Sequence, residues 1–213
     1  MYLPSHFEVT DTDALHALIR EHPLGTLVMT GPQGLGADHI PFEIDTEPAP
    51  CGTLVAHVAR ANPLWQHEGD VLVIFHGPSG YITPSWYPTK KENGKVVPTY
   101  NYAVVHAYGR LRAIEDRDWL RAFVTRLTDR HEAARAEPWH VTDAPADYID
   151  KMVAAIVGIE VTVTRMIGKF KMSQNRTPVD RLGVASGLEE GESNDSRAMA
   201  RLVRDYMMKP REL

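Results

Sequence analysis

Apolar positions along the chain switch between a helical period and strict alternation, and the switches mark out its elements. Leu15, Leu18 and Ile19 share one face of a run from about Thr12 to Glu21 that Thr10 or Asp11 can cap and Pro23 ends, which predicts a helix. Four short β-type runs follow, Gly25–Thr30, Ala37–Asp45, Gly52–Val58 and Asp70–His76, separated by Gly31-Pro32 and by the Pro48 to Gly52 cluster. Sequential hairpins are the natural reading, with Gly31 to Gly36 as a hairpin turn.

Between Tyr81 and Tyr108 the chain makes a longer excursion containing Asn93-Gly94, a strong two-residue turn signal because both residues tolerate positive φ. Asn101 to Ile114 resumes as a strand. Glu115 to Ala133 carries Trp119, Leu120, Phe123, Val124 and Leu127 on one face opposite Arg and Asp, the pattern of a surface helix lying on a sheet. A further helix is predicted from Ala144 to Val157, opened by Asp143 and Pro145 and closed by Gly158, with Tyr148, Ile149, Met152, Val153 and Ile156 inward. Gly158 to Lys171 alternates as a closing strand. After a polar linker, Glu189 to Asp195, a last helix from about Ser196 to Met208 places Met199, Leu202, Val203 and Tyr206 at helical spacing, suited to packing on a partner subunit. Six strands with peripheral helices make a mainly β, α+β fold and point to a small barrel.

Composition narrows the class. A chain of 213 residues fits one domain, since all-β barrels with attached helices reach roughly 200–250 residues without dividing. The expected organisation is a single domain over 1–213 with a C-terminal helical extension from about 189 to 213. The hydrophobic fraction of 43% and charged fraction of 24% can supply a core. Cys51 is the one cysteine and cannot form an intrachain disulfide, and the N-terminal MYLPSHFEV lacks a signal-peptide pattern, so a cytoplasmic location is expected. No apolar stretch approaches a membrane span. A formal charge of −5 argues against broad phosphate neutralisation, so DNA contact is not supported by charge and would have to be local. The basic residues Arg165, Lys169, Lys171, Arg176 and Arg181 are interrupted only by Asp180 and suit a small anion at least as well as a duplex.

Two segments, Tyr81 to Gly109 and Lys169 to Val184, carry more aromatic, amide and basic side chains than packing requires, and HVARANP adds a further constellation. In HVARANP, Arg60 at a predicted strand end, with His57 one pleat away and Asn62 nearby, offers a planar fork of donors for a phosphate, though taken alone a surface ion pair is the commoner reading. In the Tyr81–Tyr108 excursion, Trp86 and Tyr87 can cover a flat ring while Ser85, Lys90 or Asn101 donate hydrogen bonds; the same residues suit a dimer interface. His106 is in phase with Tyr102 and Tyr108, where a histidine held by a carbonyl is the commoner reading. In KFKMSQNR, Lys169 and Lys171 share a strand face before Ser173, Gln174 and Asn175, which suit either an anion site or a turn. No HxxxH, HxH or CxxC spacing is present, so no metal site is expected, and no catalytic acid, base or nucleophile stands out.

Taken together, the start Met1-Tyr2-Leu3-Pro4 with Phe7, HVARANP, YITPSWYPTK, VPTYNYAVVHAYG and KFKMSQNR with Asp180-Arg181-Gly183-Val184 resemble the PaiB-type family of FMN-binding negative transcriptional regulators. The resemblance covers nearly the whole chain. It implies a six-stranded FMN-binding split β-barrel related to pyridoxamine-phosphate oxidases and flavin reductases, working as a homodimer with FMN at the subunit interface. It assigns Arg60 and His57 to phosphate contact, and brings Ser85, Trp86 and Tyr87, with Lys169 to Asn175, to the isoalloxazine or to completing the site from the other subunit. The alternatives are a flavin-dependent oxidoreductase and a haem-binding split-barrel protein.

Overall fold

The computed structural model describes residues 1–32, 34–47 and 51–208, with all side chains except that of Asn93. Residues 48–50 of the expected Pro48 to Gly52 break, and the last residues of the expected C-terminal extension, lie outside the described residues. The chain forms one antiparallel sheet that does not close, with strand order β3-β2-β6-β7-β8-β5-β4 and β1 paired to β8, surrounded by helices. This is an α+β fold. Two short strands, β1 (Glu8–Val9) and β4 (Glu43–Asp45), extend the expected set of six. Three long strands, β6 (Gly69–Ile82), β7 (Thr99–Ile114) and β8 (Ile156–Lys171), each contribute to both of two compact units.

The first unit holds Met1–His22, Ile74–His106 and the chain from Met166 onward. Helix α1 (Thr12–Glu21) spans the predicted residues and is capped by Asp11, whose Oδ1 accepts from the amides of Asp13 and Ala14 at 3.1 and 3.3 Å. It buries Leu15, Leu18 and Ile19. Gly77 and Gly168 let this helix approach the sheet, since a Cβ on either would strike Leu18 or Leu15. β6 runs on through Gly77-Pro78 to Ile82, where the sequence suggests a break. Asn93-Gly94 closes a helical turn, α2 (Lys90–Asn93), with Gly94 left-handed at φ 65°, instead of joining two strands.

Helix α5 (Pro178–Glu189) occupies a segment, between the polar turn at Ser173–Asn175 and the linker from Glu189, to which the sequence reading gives no element. Its start carries a legible signal: Thr177 accepts from the Asp180 amide and Pro178 takes the first turn, where a missing N–H costs nothing. Its apolar face is interrupted by Gly183 and Gly187, which hides the helical period. α6 (Asn194–Met208) packs on it through Met199, Ala200 and Val203, and Arg204 grips the Glu189 carboxylate with two nitrogens.

The second unit holds Pro23–Val73 and Ala107–Arg165. β2 (Leu24–Gly31) and β3 (Gly34–Pro41) form a hairpin registered from Leu24↔Pro41 to Gly31↔Gly34, and β5 (Thr53–Ala59) runs between β4 and β8. α3 (Arg117–Glu132) and α4 (Ala146–Ala154) share a cluster of Leu120, Val141, Ile149 and Val153, with Trp119 and Ile156 against it. Tyr148 and Met152, expected inward, are exposed, and α4 stops before Ile156. Gly158 lies inside β8, where a Cβ would meet the Trp119 ring at 2.5 Å, so it serves close packing and not helix termination.

Candidate functional site

Strand alternation sorts β7 in the first unit into two faces. Asn101, Ala103 and Val105 are buried, while Tyr100, Tyr102 and His106 stand on the opposite side, exposed or half-exposed. Tyr100 and Tyr81 meet edge-on with ring centroids 5.9 Å apart, and Tyr2 is 83% exposed. Lysines thread these rings. Lys169 Nζ donates to the Tyr2 carbonyl at 3.0 Å and sits 5.6 and 5.4 Å from the Tyr2 and Tyr102 ring centroids. Lys171 Nζ donates to the Tyr100 carbonyl at 2.7 Å and to Thr99 Oγ1. Burial pulls the Lys171 ammonium below its ordinary pKa, and the charges of Lys169 and Arg176 add to the shift.

The chain leaves β8 through a rigid corner. Ser173 is left-handed at φ 62°, the one non-glycine residue so placed among the described residues, and Asn101 Nδ2 holds its hydroxyl at 3.0 Å with both side chains buried. Gln174 ties the corner from the other side: Oε1 accepts from the Met172 amide at 2.6 Å and Nε2 donates to the Phe170 carbonyl. Asn101, Ser173 and Gln174 therefore shape the turn, and Asn175 is exposed beside it. Arg176 lies over the Tyr87 ring at 4.9 Å. Tyr87 is 2% exposed, and burial raises its pKa against the opposing charge and hydrogen bond of Arg176. Asp180, also buried, is occupied by Thr89, which donates its amide at 3.2 Å and its hydroxyl to both carboxylate oxygens at 3.0 and 2.8 Å.

Ser85 and Trp86 share the short turn at Pro84–Trp86. Ser85 is exposed in a turn held by Thr83, whose Oγ1 accepts from the Ser85 amide at 3.3 Å. The indole of Trp86 lies on Gly187 of α5, where a Cβ would overlap its ring, and the Trp86 carbonyl crowds Gly183 in the same way. One face of the indole is thus taken by helix packing. His106 is half-buried, and burial lowers its pKa, with the Met1 amino group and His76 adding to the effect.

His57, Arg60 and Asn62 belong to the second unit and are engaged there. The Arg60 fork donates from Nε to the Ala154 carbonyl at 3.1 Å, from Nη2 to the Ile156 carbonyl at 3.3 Å and from Nη1 to Glu115 at 2.7 Å. These bonds clamp the passage from α4 to β8, so the expected phosphate meets a guanidinium with partners already in place. Asn62 caps the turn at Pro63–Gln66 by accepting from the Leu64 amide at 2.9 Å and donates to Asp38 at 3.0 Å. His57 lies edge-on to Phe123 at 5.9 Å, and burial lowers its pKa.

Among the described residues no group of three or more His, Cys, Asp or Glu side chains gathers as a metal would need, and no helix is long and apolar enough to cross a membrane. A family model described as "Putative FMN-binding domain" matches residues 1–165. The chain belongs to this FMN-binding family. Among relatives, it is 32% identical over 212 residues to the Bacillus subtilis "Protease synthase and sporulation protein PAI 2", covering 98% of this chain and 99% of that one. It is 35% identical over 243 residues to the Emericella nidulans protein AN0679, covering 96% and 97%. The fold matches that of the FAD and heme binding protein of Mycobacterium smegmatis at TM-score 0.58 and 18% identity, over 78% of this chain and 73% of that one. The fold is the FMN-binding split barrel, and FMN is the cofactor the family implies.

The first unit fits such a group. Its open β7 face offers tyrosine rings for a planar ligand, and Lys169, Lys171 and Arg176 form no ion pair among the described residues. Sequence reasoning singled out both lysines and Tyr87 but left Arg176 among general basic residues and Tyr2, Tyr81 and Tyr100 unassigned. The period-2 phase of Tyr100 with Tyr102 is the signal that could have found the last.

Proposed function

We propose that the chain is an FMN-binding regulator of the PaiB type that holds the flavin on the tyrosine and lysine face of its first unit. The observation that carries the binding reading is the run Tyr100, Tyr102, Lys169 and Lys171, where an exposed and a half-exposed ring stand beside ammonium groups on adjacent strands. Tyrosine faces stack on a planar ring while cations attract the anionic end of the ligand. When bound, FMN supplies a redox-active and light-absorbing ring; the chain's own residues bind it and exclude water from one side of it.

The regulatory half of the proposal rests on the near full-length likeness to the B. subtilis protein named for protease synthesis and sporulation. With a formal charge of −5, control through a protein partner or through the flavin state suits this surface better than broad contact with DNA. In the homodimer the resemblance implies, the exposed Tyr2, Tyr81 and Tyr100 supply aromatic contact area of the kind that interfaces favour.

Expression in a B. subtilis strain lacking PAI 2 tests the regulatory reading. Wild-type chain is expected to shift secreted-protease level and sporulation frequency toward those of the parent, and Tyr102→Ala to fail at equal abundance. Equal effects from both chains, or none from either, would overturn a flavin-dependent regulator.

A further inference from the structure

We propose that the cavity between α1, α6 and the sheet in the first unit is a binding site for a zwitterionic amino acid with an aromatic or large aliphatic side chain. The site stands apart from the tyrosine and lysine face, because Phe170, in its floor, alternates with Lys169 and Lys171 along β8 and so belongs to the opposite side of the sheet.

The cavity holds about 310 Å³, at the lower end of the range that small-molecule sites occupy. Its floor is buried and apolar, made by Leu18, Pro78 and Phe170. It persists because both of its walls are anchored elsewhere. α1 rests Leu15 and Leu18 against Gly168 and Gly77 of the sheet, and α6 is packed on α5. The sides turned toward each other carry Ala14 and Ala17 on α1 and Ala198 on α6, side chains too short to close the gap. An apolar lining with nothing opposite forgoes dispersion contact, which an occupant of matching shape restores.

Charge at the mouth decides the class of occupant. Glu21, with His22 next to it, lies in the last turn of α1, where the helix dipole favours a cation near by. On α6, Asp205 and Arg201 line the same cavity four positions apart, on one helical face. Glu21, Arg201 and Asp205 are exposed and form no ion pair among the described residues. An apolar acid would leave the two carboxylates without a counter-ion, and an apolar amine would leave Arg201 without one. A zwitterion answers both signs at once. The wall adds a preference for a ring: Phe170 and Tyr206 meet with centroids 6.1 Å apart and planes tilted by 50°, a corner into which an aromatic side chain can pack. Burial, helped by the Asp11 carboxylate, pushes the Tyr206 pKa up to about 12, so that wall stays neutral.

Isothermal titration calorimetry of the full chain tests the site with L-phenylalanine, L-leucine and two analogues that each lack one charge, phenethylamine and hydrocinnamate. L-Phenylalanine is expected to bind saturably, and each analogue roughly tenfold or more weakly, the scale of one charge-assisted contact. Arg201→Gln should weaken L-phenylalanine by a similar factor and leave phenethylamine unchanged. Glu21→Gln should weaken L-phenylalanine and not hydrocinnamate. Ala17→Trp, which fills the gap from an exposed helix position, should abolish binding of all four compounds.

Absence of saturable binding by either amino acid would overturn the proposal. Equal affinity for L-phenylalanine and either analogue would also overturn it, reducing the cavity to a site for an apolar amine or acid. Binding that survives both Ala17→Trp and Arg201→Gln would place the ligand elsewhere. Arg201→Gln and Glu21→Gln change exposed groups that hold no ion pair, so their outcome decides the question even where Ala17→Trp lowers stability.

Discussion

Individual side chains decide which of the chemistry-bearing segments are free to act. Arg60 has the residue type and strand-end position of a phosphate ligand, yet its fork holds the carbonyls of Ala154 and Ile156 together with Glu115. Arg60→Ala is therefore expected to lower stability by about 1 kcal/mol, a partly exposed set of bonds, and to leave FMN affinity unchanged, as chemical denaturation and flavin titration would check. His57 gives a pH dependence of definite sign. Its pKa is lowered from about 6.5 by burial, so the native state keeps the ring neutral where the unfolded chain takes up a proton. That contribution is fully present above the ordinary histidine range and is lost as pH falls through 6.5 toward the lowered value. His57→Gln should flatten this acid limb in melting temperatures recorded against pH; an unchanged limb would exclude His57 as its source. No sequence rule reveals that Arg60 is engaged, because its three partners lie 55 to 96 positions away.

Among the elements, α1 was fully legible: an Asx cap, a helical triplet and a terminating proline agree with one another, and the structure returns Thr12–Glu21. Helix α5 was not, because its inner face carries glycines in place of large apolar residues. The physical reason is Trp86, whose ring needs the space that Gly187 leaves. Gly187→Ala would gain helix propensity but drive a Cβ into the indole, and overpacking of that kind costs about 1–3 kcal/mol. A lowered melting temperature with altered tryptophan emission is expected; a raised one would show that the contact can relax. Similar close approaches go with Gly77 and Gly158 inside strands, where the first follows the expected strand end at His76 and the second reads in sequence as a helix end. In the second unit, Leu120→Ala would open a cavity among Val141, Ile149 and Val153, at a cost of about 2–5 kcal/mol in denaturant unfolding.

For the whole molecule, the sequence carried the fold class, the cofactor family and the segments that matter, since alternation and long ordered motifs survive in one dimension. It did not carry the division of those segments. HVARANP falls in the second unit, whereas YITPSWYPTK and KFKMSQNR fall in the first, where Arg176 lies over Tyr87. The central claim is that the tyrosine and lysine face of β7 and β8 in the first unit holds the flavin. It is tested most directly by one FMN titration series on wild type, Tyr102→Ala and Arg60→Ala, each checked for native circular dichroism. Saturable binding by wild type and Arg60→Ala with strong loss in Tyr102→Ala is the predicted result. Loss in Arg60→Ala with Tyr102→Ala unaffected would contradict the account and return the flavin to the HVARANP strand end.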